Sequence, residues 1–250
     1  MKLGSLEKTM QIIEILAANN RGLALSQLAA FSGLPPSSVH HILSTLRGHN
    51  YIMQDPETKK YFLGYRFLAI SRSILNGFDV RKISQPHIYR LSQELRESVQ
   101  VGVMVNNQLM FVDKADAANS HLAVLVHVGS MLPLHVSASG KMIMSDKGED
   151  EVRAIFEARS NDNYGPRAID SLSALLENLE MVKTKGYAID DEESHLGLRA
   201  AAVPIKREGR IVATLSSIGP VFNMPMQRIV GEMVPKLHAT AGLLSQQITW

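Results

Sequence analysis

The 250-residue sequence contains no cysteine and no long hydrophobic run. Without cysteine the chain forms neither a disulfide nor a thiolate metal site, which fits a reducing compartment. No apolar run approaches the roughly 18 residues that cross a bilayer, and the opening segment MKLGSLEKTMQ lacks the apolar core of an export signal. We therefore expect a cytoplasmic chain without a membrane partner.

Signatures of common enzymes are also missing. The sequence has no phosphate-binding loop and no dinucleotide fingerprint, and Ser139-Gly140-Lys141 lacks the Gly-x frame that precedes the serine of a nucleophile elbow. The best catalytic set that the chain offers is His135 with Ser139, or with Ser137 in its place, and Asp190. Because no motif supports this set, we predict that the chain is not an enzyme and needs no cofactor. Hydrolysis of a small acid by these three residues is the alternative.

Positive charge is concentrated in the first third of the chain. The net formal charge is +2. Through Gly77, eight lysines and arginines face four acids, which gives +4 for this part and leaves −2 for the rest. A small basic module on a mildly acidic body indicates that only the first part meets a polyanion.

Residues 25–63 have the pattern of two short helices around a turn, followed by a β-hairpin with a basic tip. Gly33 ends the first of these helices, as glycine does just past a helix end. Pro36 suits the first turn of the next helix, because its missing N–H needs no partner there. Asp55-Pro56 starts the turn of the hairpin. This order predicts a winged helix-turn-helix, which places one helix in the major groove of DNA.

Two helix starts are predicted from their polar residues. Ser5 is the expected N-cap of a helix that precedes the motif, and Ser26 is the expected N-cap of the first helix within it. Lys8 at the third position after Ser5 argues against a capping box. The predicted apolar face of the preceding helix consists of Leu6, Met10, Ile13 and Leu16.

The outer face of the helix predicted for residues 36–47 carries short polar side chains and few charges, which suits base edges and phosphates. In an isolated helix this would be a solvated face, but the turn before it and the hairpin after it favour DNA contact. Two lysines at the hairpin tip would reach the phosphate backbone, although they also fit a solvated tip. The predicted DNA-binding residues are Ser26, Pro36, Ser37, Ser38, His40, His41, Ser44, Arg47, Lys59 and Lys60.

Beyond the motif, a helix over residues 65–78 has an apolar surface wide enough to pack against a partner chain or a second domain. We expect a DNA-binding domain over 1–64, this linker helix over 65–78 and a second domain over 79–250. In the second domain, predicted strands are followed by predicted helices and then by further strands. This order indicates an α+β fold with an antiparallel sheet. The predicted strands are 99–105, 109–115, 121–127, 200–206 and 210–218, and the predicted helices are 79–97, 139–145, 150–158, 172–185 and 224–247.

The chain resembles the IclR family of bacterial transcription regulators over nearly its whole length. The first part matches in SGLPPSSVHHILSTL and the wing that follows. The second part matches in LPLHVSASGK (132–141), GYAIDDEESHLGLRAAAVPI (186–205) and EGRIVATLSSIGP (208–220). The resemblance implies a GAF-like effector-binding domain, a homodimer formed through the DNA-binding region, often a homotetramer, and control by a small metabolite.

In the family the ligand lies in a cup on the sheet of the effector domain. Two departures from the family pattern are visible: Ala200 stands where a cysteine is frequent, and His41 stands where the recognition helix often has arginine. Leu122 and Val124 alternate on one strand face and suit an apolar floor. The effector-binding residues that the resemblance implies, with this floor and the Ala200 position, are Leu122, Val124, Ala138, Ser139, Gly140, Asp190, Ala200, Ser216 and Ser217.

Several of these positions have a second interpretation. Backbone N–H groups near Gly140 would favour a carboxylate at a helix start, but a serine there is equally well a helix cap. Ser216 and Ser217 are adjacent in a strand, so only one of them faces the cup. The four acids at 190–193, with His195, resemble a metal site, since hard cations bind clusters of carboxylate oxygens. Consecutive acids cannot all point at one ion, however, and Arg199 can pair with one of them instead, so we expect no metal.

The sequence therefore predicts a ligand-responsive regulator, a repressor of a catabolic operon controlled by a carboxylate or sugar acid. Its partners would be double-stranded DNA with a palindromic operator and the small-molecule effector. An activator of the same class is the alternative. A pure protein-interaction module would leave the basic hairpin unexplained.

Overall fold

The computed structural model describes residues 4–77, 79–117, 127–159 and 164–247. The chain divides into two compact units, Met1–Gly77 and Phe78–Trp250. Within the described residues, no helix has the length and apolar character needed to cross a membrane. The elements of the first unit are α1 (Ser5–Ala17), α2 (Leu25–Ser32), α3 (Pro36–Gly48), β1 (Ile52–Gln54), β2 (Tyr61–Leu63) and α4 (Arg66–Gly77).

The first unit is a winged helix-turn-helix, as predicted. Strands β1 and β2 pair antiparallel, and Leu23 exchanges two backbone hydrogen bonds with Tyr61, of 3.0 and 2.8 Å, which adds a single β-bridge to the two-stranded wing. Gly33 adopts φ +67° at the end of α2, the left-handed conformation that glycine adopts without strain. The core lies between the three helices and the wing and includes Ile12, Leu16, Leu28, Val39, Ile42, Leu43 and Ile52.

Both predicted N-caps of this unit are wrong. The N-cap of α1 is Gly4, and the N-cap of α2 is Ala24. Neither has a side chain that caps, and instead a side chain three residues later reaches back to the free backbone N–H. Glu7 accepts the N–H of Gly4 at 2.7 Å, and Gln27 accepts the N–H of Ala24 at 2.9 Å.

The apolar stripe predicted on α1 is divided between core and surface. Leu16 is buried, whereas Leu6 is 70% and Met10 51% exposed. The core side of the helix is set by Ile12 and Leu16, which lie one turn apart. The N-terminal half of α1 therefore presents apolar side chains that the described residues of this chain do not cover.

The second unit is built on a six-stranded antiparallel sheet of order β5-β4-β3-β8-β7-β6. Helices cover both of its faces, which confirms the α+β class. Its elements are α5 (Asp79–Leu95), β3 (Ser98–Val105), β4 (Gln108–Ala115), β5 (Met131–Pro133), α6 (Ala138–Met144), α7 (Glu149–Glu157), α8 (Leu172–Lys185), β6 (Ala188–Asp191), β7 (Leu198–Arg207), β8 (Arg210–Pro220), α9 (Met226–Arg228) and α10 (Val234–Gln247).

The two faces of the sheet are separated by strand alternation. On β3, Val99, Val101 and Val103 point to the face that packs against α5 and α10. Side chains of Phe111 on β4 and Ile218 on β8 belong to the opposite face, which packs against α6, α7 and α8. Gln100 and Gly102 fall between the valines, so they share this second face.

Both edge strands, β5 and β6, were missed by the sequence prediction. Strand β5 has three residues and ends in proline, and β6 ends in two aspartates, residue types that are depleted in strands. The predicted strand at 121–127 lies outside the described residues, except for its last residue. The predicted helix at 224–247 begins at Met226 and contains a π-helical turn at Ile229–Met233.

Candidate functional site

The outer face of α3 is open to solvent along its length. Its inner face buries Val39, Ile42 and Leu43, which fixes the orientation of the helix and leaves the polar positions outside. Eight of the ten predicted DNA-binding residues are exposed, and the other two, Ser38 and Lys60, are half-buried. The first unit thus brings the predicted residues of α3 to one accessible helix face.

Side-chain hydrogen bonds connect the end of α3 to the wing. The guanidinium of Arg47 donates to Oε1 of Gln54 at 2.9 Å, and the amide nitrogen of Gln54 donates to the carbonyl of Lys59 at 3.1 Å. Asp55 accepts the N–H of Thr58 at 2.6 Å and its hydroxyl at 2.7 Å, which holds the turn and lowers the pKa of Asp55. The wing tip is therefore held in a defined position relative to α3.

The second unit contains a small buried cavity between the sheet and α6. Five of the predicted effector-binding residues line it: Ala138, Ser139, Asp190, Ala200 and Ser216. The other lining residues are Gln100, Phe111, Leu132, Ser137, Ser194, His195 and Ile218. Residues far apart in sequence thus meet in one place, because all six strands of the sheet and the start of α6 contribute to the wall.

Two predicted effector-binding residues do not line this cavity. Ser217 is paired with Val99 and Ala201 in the sheet and shares their face, which packs against α5 and α10. Gly140 lies one residue past the lining part of α6, and a Cβ there would come within 2.2 Å of the carbonyl oxygen of Leu134. Leu122 and Val124 lie outside the described residues.

The start of α6 is capped by its own chain. Ser137 Oγ accepts the backbone N–H of Gly140 at 3.1 Å, so this N–H is not free for a carboxylate. The cap interpretation therefore applies to Ser137 and not to Ser139, and a contact between Gly140 and a carboxylate stays a prediction. Gly140 instead permits close contact between α6 and the 3₁₀ turn at Leu134–Val136.

Each acid of the segment 190–193 turns to a different partner. Asp190 accepts backbone N–H groups of Glu193 at 2.8 Å and Ser194 at 3.2 Å, and the Ser194 hydroxyl at 2.5 Å. Asp191 pairs with Arg199, whose Nε is 2.6 Å away. These contacts hold the segment in one conformation. Arg199 pairs with one of the four acids, as the sequence analysis expected in place of a metal site.

The remaining two acids of this segment extend the same network. Glu192 Oε2 accepts the N–H of Gly197 at 3.0 Å, and Glu193 accepts two hydrogen bonds from Lys141, of 2.5 and 2.6 Å. Lys141 is 1% exposed. A buried ion pair thus joins α6 to the segment that forms one cavity wall, and among the described residues no group of three potential ligands is arranged around a metal position.

Burial controls the titration of the groups around the cavity. It raises the pKa of Asp190 above its ordinary value, although the hydrogen bonds that Asp190 accepts lower the pKa in part. It also raises the pKa of Glu193, against the attraction of Lys141. Burial, followed by the positive charges of Arg159 and Lys141, lowers the pKa of His135 to about 4, so His135 is neutral at physiological pH.

Two polar atoms of the cavity wall have no hydrogen-bond partner within the described residues: Nε2 of Gln100 and Oγ of Ser139. Gln100 was missed by the sequence analysis. The signal was present, because alternation with three valines in a predicted strand places a glutamine on the face of the cup. The unpartnered Oγ of Ser139 also means that neither His135 nor Asp190 contacts it, so the hydrolase alternative lacks its nucleophile–base hydrogen bond.

The cavity has a volume of about 20 Å³. On this measure one water molecule needs roughly 10–15 Å³. The cavity is therefore closed to a metabolite in this conformation, and a ligand of several heavy atoms enters only if a wall moves.

A winged helix-turn-helix in one unit and a polar cavity in the other define a two-domain transcription regulator as the class of protein. A family model described as "Bacterial transcriptional regulator IclR C-terminal" matches residues 72–246, and one described as "IclR helix-turn-helix domain" matches residues 5–56. The chain belongs to the IclR family.

Named relatives and solved structures agree with this assignment. The HTH-type transcriptional regulator XynR of Escherichia coli K12 is 29% identical over 213 residues, covering 85% of this chain and 84% of XynR. The transcriptional repressor IclR of the same organism is 28% identical over 237 residues, covering 93% and 86%. An IclR homologue from Microbacterium hydrocarbonoxydans, solved in complex with 4-hydroxybenzoate, has a TM-score of 0.83 at 23% identity, with coverage of 97% and 98%.

Proposed function

We propose that this chain is a repressor of a catabolic operon, released from or retained on its operator by a small carboxylate or sugar acid. The observation that carries the proposal is the combination, in one chain, of an exposed polar α3 with a buried polar cavity. Residues 1–64 would read DNA, residues 65–78 would link, and residues 79–250 would bind the effector. Membership of the IclR family and the likeness to a relative named as a repressor support this sign of regulation.

The DNA-binding form would be a homodimer, with homotetramers formed from two such dimers. Uncovered apolar side chains on two helices of the first unit support self-association: Leu6 and Met10 on α1, and Tyr65 and Leu68 beside and on α4, each more than half exposed. A two-fold dimer would place two α3 helices in successive major grooves of a palindromic site. The wings would then contact flanking phosphates through Lys59 and Lys60.

Recognition of base edges would fall to the neutral side chains of α3. His40 and His41 are exposed on it and are flanked by serines. Neutral donors and acceptors read sequence, whereas Arg47 and the wing lysines supply charge attraction that is independent of sequence. Affinity would therefore depend on dimerisation and on a few cations, and specificity on a few polar contacts.

The effector would occupy the cavity between the sheet and α6. The solved homologue that binds 4-hydroxybenzoate shares this fold, which supports a small acid as the ligand class. Because the cavity holds about 20 Å³ in this conformation, the ligand necessarily favours a conformation with a displaced wall. Such differential affinity is what a ligand needs to shift a regulator between two states.

The proposal is tested by selecting bound duplexes from a random DNA pool with the full-length protein. We expect a palindromic consensus, and we expect Arg47→Ala to weaken its binding while the matched variant Arg153→Ala, on exposed α7, leaves it unchanged. Pyruvate, gluconate and 4-hydroxybenzoate are then titrated against the complex. A pool without enrichment would rule out sequence-specific binding, and an enriched site that no small acid perturbs would rule out the effector part.

A further inference from the structure

Five buried side-chain nitrogen or oxygen atoms lack a hydrogen-bond partner within the described residues. Two of them, Nε2 of Gln100 and Oγ of Ser139, lie in the wall of the same cavity. Both side chains are nearly inaccessible, with 1% and 2% of their surface exposed. Because buried polar groups are almost always paired in folded proteins, two unpaired groups at one cavity need an explanation.

The two groups approach the cavity from different layers. Gln100 lies on β3, opposite Ser216 of β8 in the register, and Ser139 lies in the first turn of α6. Gly102, next to Gln100 on the same strand face, lies close to both layers: a Cβ there would be 2.7 Å from Cδ1 of Leu109, 3.0 Å from Oγ1 of Thr214 and 3.6 Å from Cβ of Ser139. The sheet and the helix therefore each contribute one unpaired group to the same cavity.

The two unpaired groups of the wall can both donate a hydrogen bond. Asp190, the acidic lining residue, already accepts three hydrogen bonds, and Ser137 Oγ accepts one from Gly140. An amide nitrogen donates hydrogen bonds only, and a hydroxyl can donate one. No lysine or arginine lines the cavity in the described part of the chain, since Lys141 is turned to Glu193.

The rest of the wall is apolar. Phe111, Leu132, Ala138, Ala200 and Ile218 line it. A ligand that suits both parts has a hydrocarbon body and one oxygen acceptor. Two donors suit the two lone-pair regions of a carbonyl oxygen or the two oxygens of a carboxylate, and the bonds are stronger when the acceptor is charged. An ammonium ligand suits this pair less well, because the amide nitrogen of Gln100 cannot accept a hydrogen bond from it.

We propose that Gln100 and Ser139 form a donor pair that binds one carboxylate or carbonyl group of the effector, and that Gln100 thereby determines which ligands this cavity accepts. The inference rests on the proposed function of the cavity as an effector site. It adds a residue of β3 to the site and assigns the acceptor end of the ligand to the gap between β3 and α6.

A structural water is the competing explanation, because the cavity has room for about one. The two explanations differ in the ligand-free protein. If the donors await an effector, removing them relieves an unpaired buried group and does not lower stability. If they hold a permanent water, removing them breaks a satisfied network and lowers it.

The first arm of the test measures thermal unfolding of ligand-free, full-length Gln100→Leu and Ser139→Ala. The matched control is Ser217→Ala, which removes another unpaired buried hydroxyl from the opposite face of the sheet. We expect both cavity variants to unfold at or above the wild-type temperature, as the control does. A fall of more than about 3 °C in both cavity variants but not in the control would overturn the proposal in favour of the water.

The second arm measures the shift in unfolding temperature caused by pyruvate, gluconate and 4-hydroxybenzoate, with phenol as the probe that lacks the acceptor group. For any acid that stabilises the wild type, we expect about tenfold weaker binding to Ser139→Ala and to Gln100→Leu, and unchanged binding to Ser217→Ala. Binding to Gln100→Glu should be the weakest, because the new carboxylate would repel the acid. Equal binding by all four variants would overturn the proposal. If no acid stabilises the wild type, the first arm decides alone.

Failure of this inference is distinguishable from failure of the proposed function. If wild type and Gln100→Leu both select an operator and respond equally well to an acid, the proposed function holds and the proposed donor pair is wrong. If the wild-type protein enriches no DNA, the proposed function is wrong, whatever the cavity variants show.

Discussion

Charged side chains are used in opposite ways in the two units. In the first unit, Lys59 and Arg47 are exposed, and the only described side-chain contact of Arg47 is a neutral one, to Gln54. In the second unit, Lys141 is almost fully buried against Glu193. All ion pairs found among the described side chains belong to the second unit.

This difference separates two tasks. An exposed, unpaired cation contributes little to the stability of its own chain and remains available to a polyanion. A buried pair has lost its water and is held by geometry, so it fixes the position of two elements relative to each other. The first unit therefore directs its charge outward, and the second unit uses charge to shape a cavity.

The largest effect is expected from Lys141→Met. The substitution leaves the carboxylate of Glu193 buried without its partner, which costs about 3–5 kcal/mol and lowers the unfolding temperature of the second unit by about 10 °C. The double variant Lys141→Met/Glu193→Met removes both charges and should recover most of the loss. Denaturant titration followed by circular dichroism measures both.

The matched control in the same unit is Lys147→Met, because Lys147, half-buried just before α7, pairs with the exposed carboxylate of Glu151. We expect a change of less than about 1 kcal/mol there. If Lys141→Met and Lys147→Met cost the same, the buried pair does not organise the cavity wall, and the contrast between the units fails.

A smaller effect is expected when pH is lowered. Since the pKa of folded His135 is about 4 and its ordinary value is about 6.5, the unfolded chain binds a proton in this interval that the folded chain does not. Stability is therefore lost as pH falls from about 6.5 to about 4, by up to about 3 kcal/mol. Asp190 and Glu193 act in the opposite direction, because their pKa values are raised.

His135→Phe isolates this contribution, because phenylalanine keeps the edge-to-face contacts with Phe156 and Tyr164 and does not titrate. The difference in unfolding free energy between wild type and variant should change between pH 6.5 and 4, whereas His49→Phe, at an exposed position of the first unit, serves as the control. A difference that is constant across this range would show that His135 is protonated in the folded protein.

The contrast between the units also explains what could be predicted from sequence. The winged helix-turn-helix depends on signals within about forty residues, such as Gly33 at a helix end and Pro36 at a helix start, and these were read correctly. The N-caps were misplaced because glutamate and glutamine reach back from the third helical position, as Glu7 and Gln27 do. A cap residue need not be polar when its neighbour supplies the acceptor.

The cavity was only partly predictable, because its wall is assembled from distant segments. Lys141 and Glu193 are 52 residues apart, and no periodicity links them. Alternation does predict that one of Ser216 and Ser217 faces the cup, and Ser216 lines it. The same alternation would have identified Gln100, had each strand been assigned to a face before candidate residues were chosen.

In the first unit, the sharper test concerns sequence reading. Replacing His40 or His41 by alanine should reduce discrimination between the selected operator and a mismatched one by about 1–3 kcal/mol per lost base contact, while nonspecific binding stays nearly constant. Fluorescence anisotropy on matched and mismatched duplexes measures the ratio. Equal loss on both duplexes would make these histidines phosphate contacts, and Thr45→Ala on the same helix is a control for helix stability.

The smallest effect is expected from the wing. Lys60→Ala removes one cation from the hairpin, so binding should weaken on every duplex alike and the slope of log affinity against log salt should decrease by about one. The control Lys183→Ala removes one charge from exposed α8 of the second unit. Because both variants change the net charge equally, an equal change in slope would show that overall charge, and not the wing, attracts DNA. A change of slope in Lys60→Ala alone would place the wing on the phosphate backbone. The exposed charge of the first unit would then attract DNA, in contrast to the internal ion pairs of the second unit.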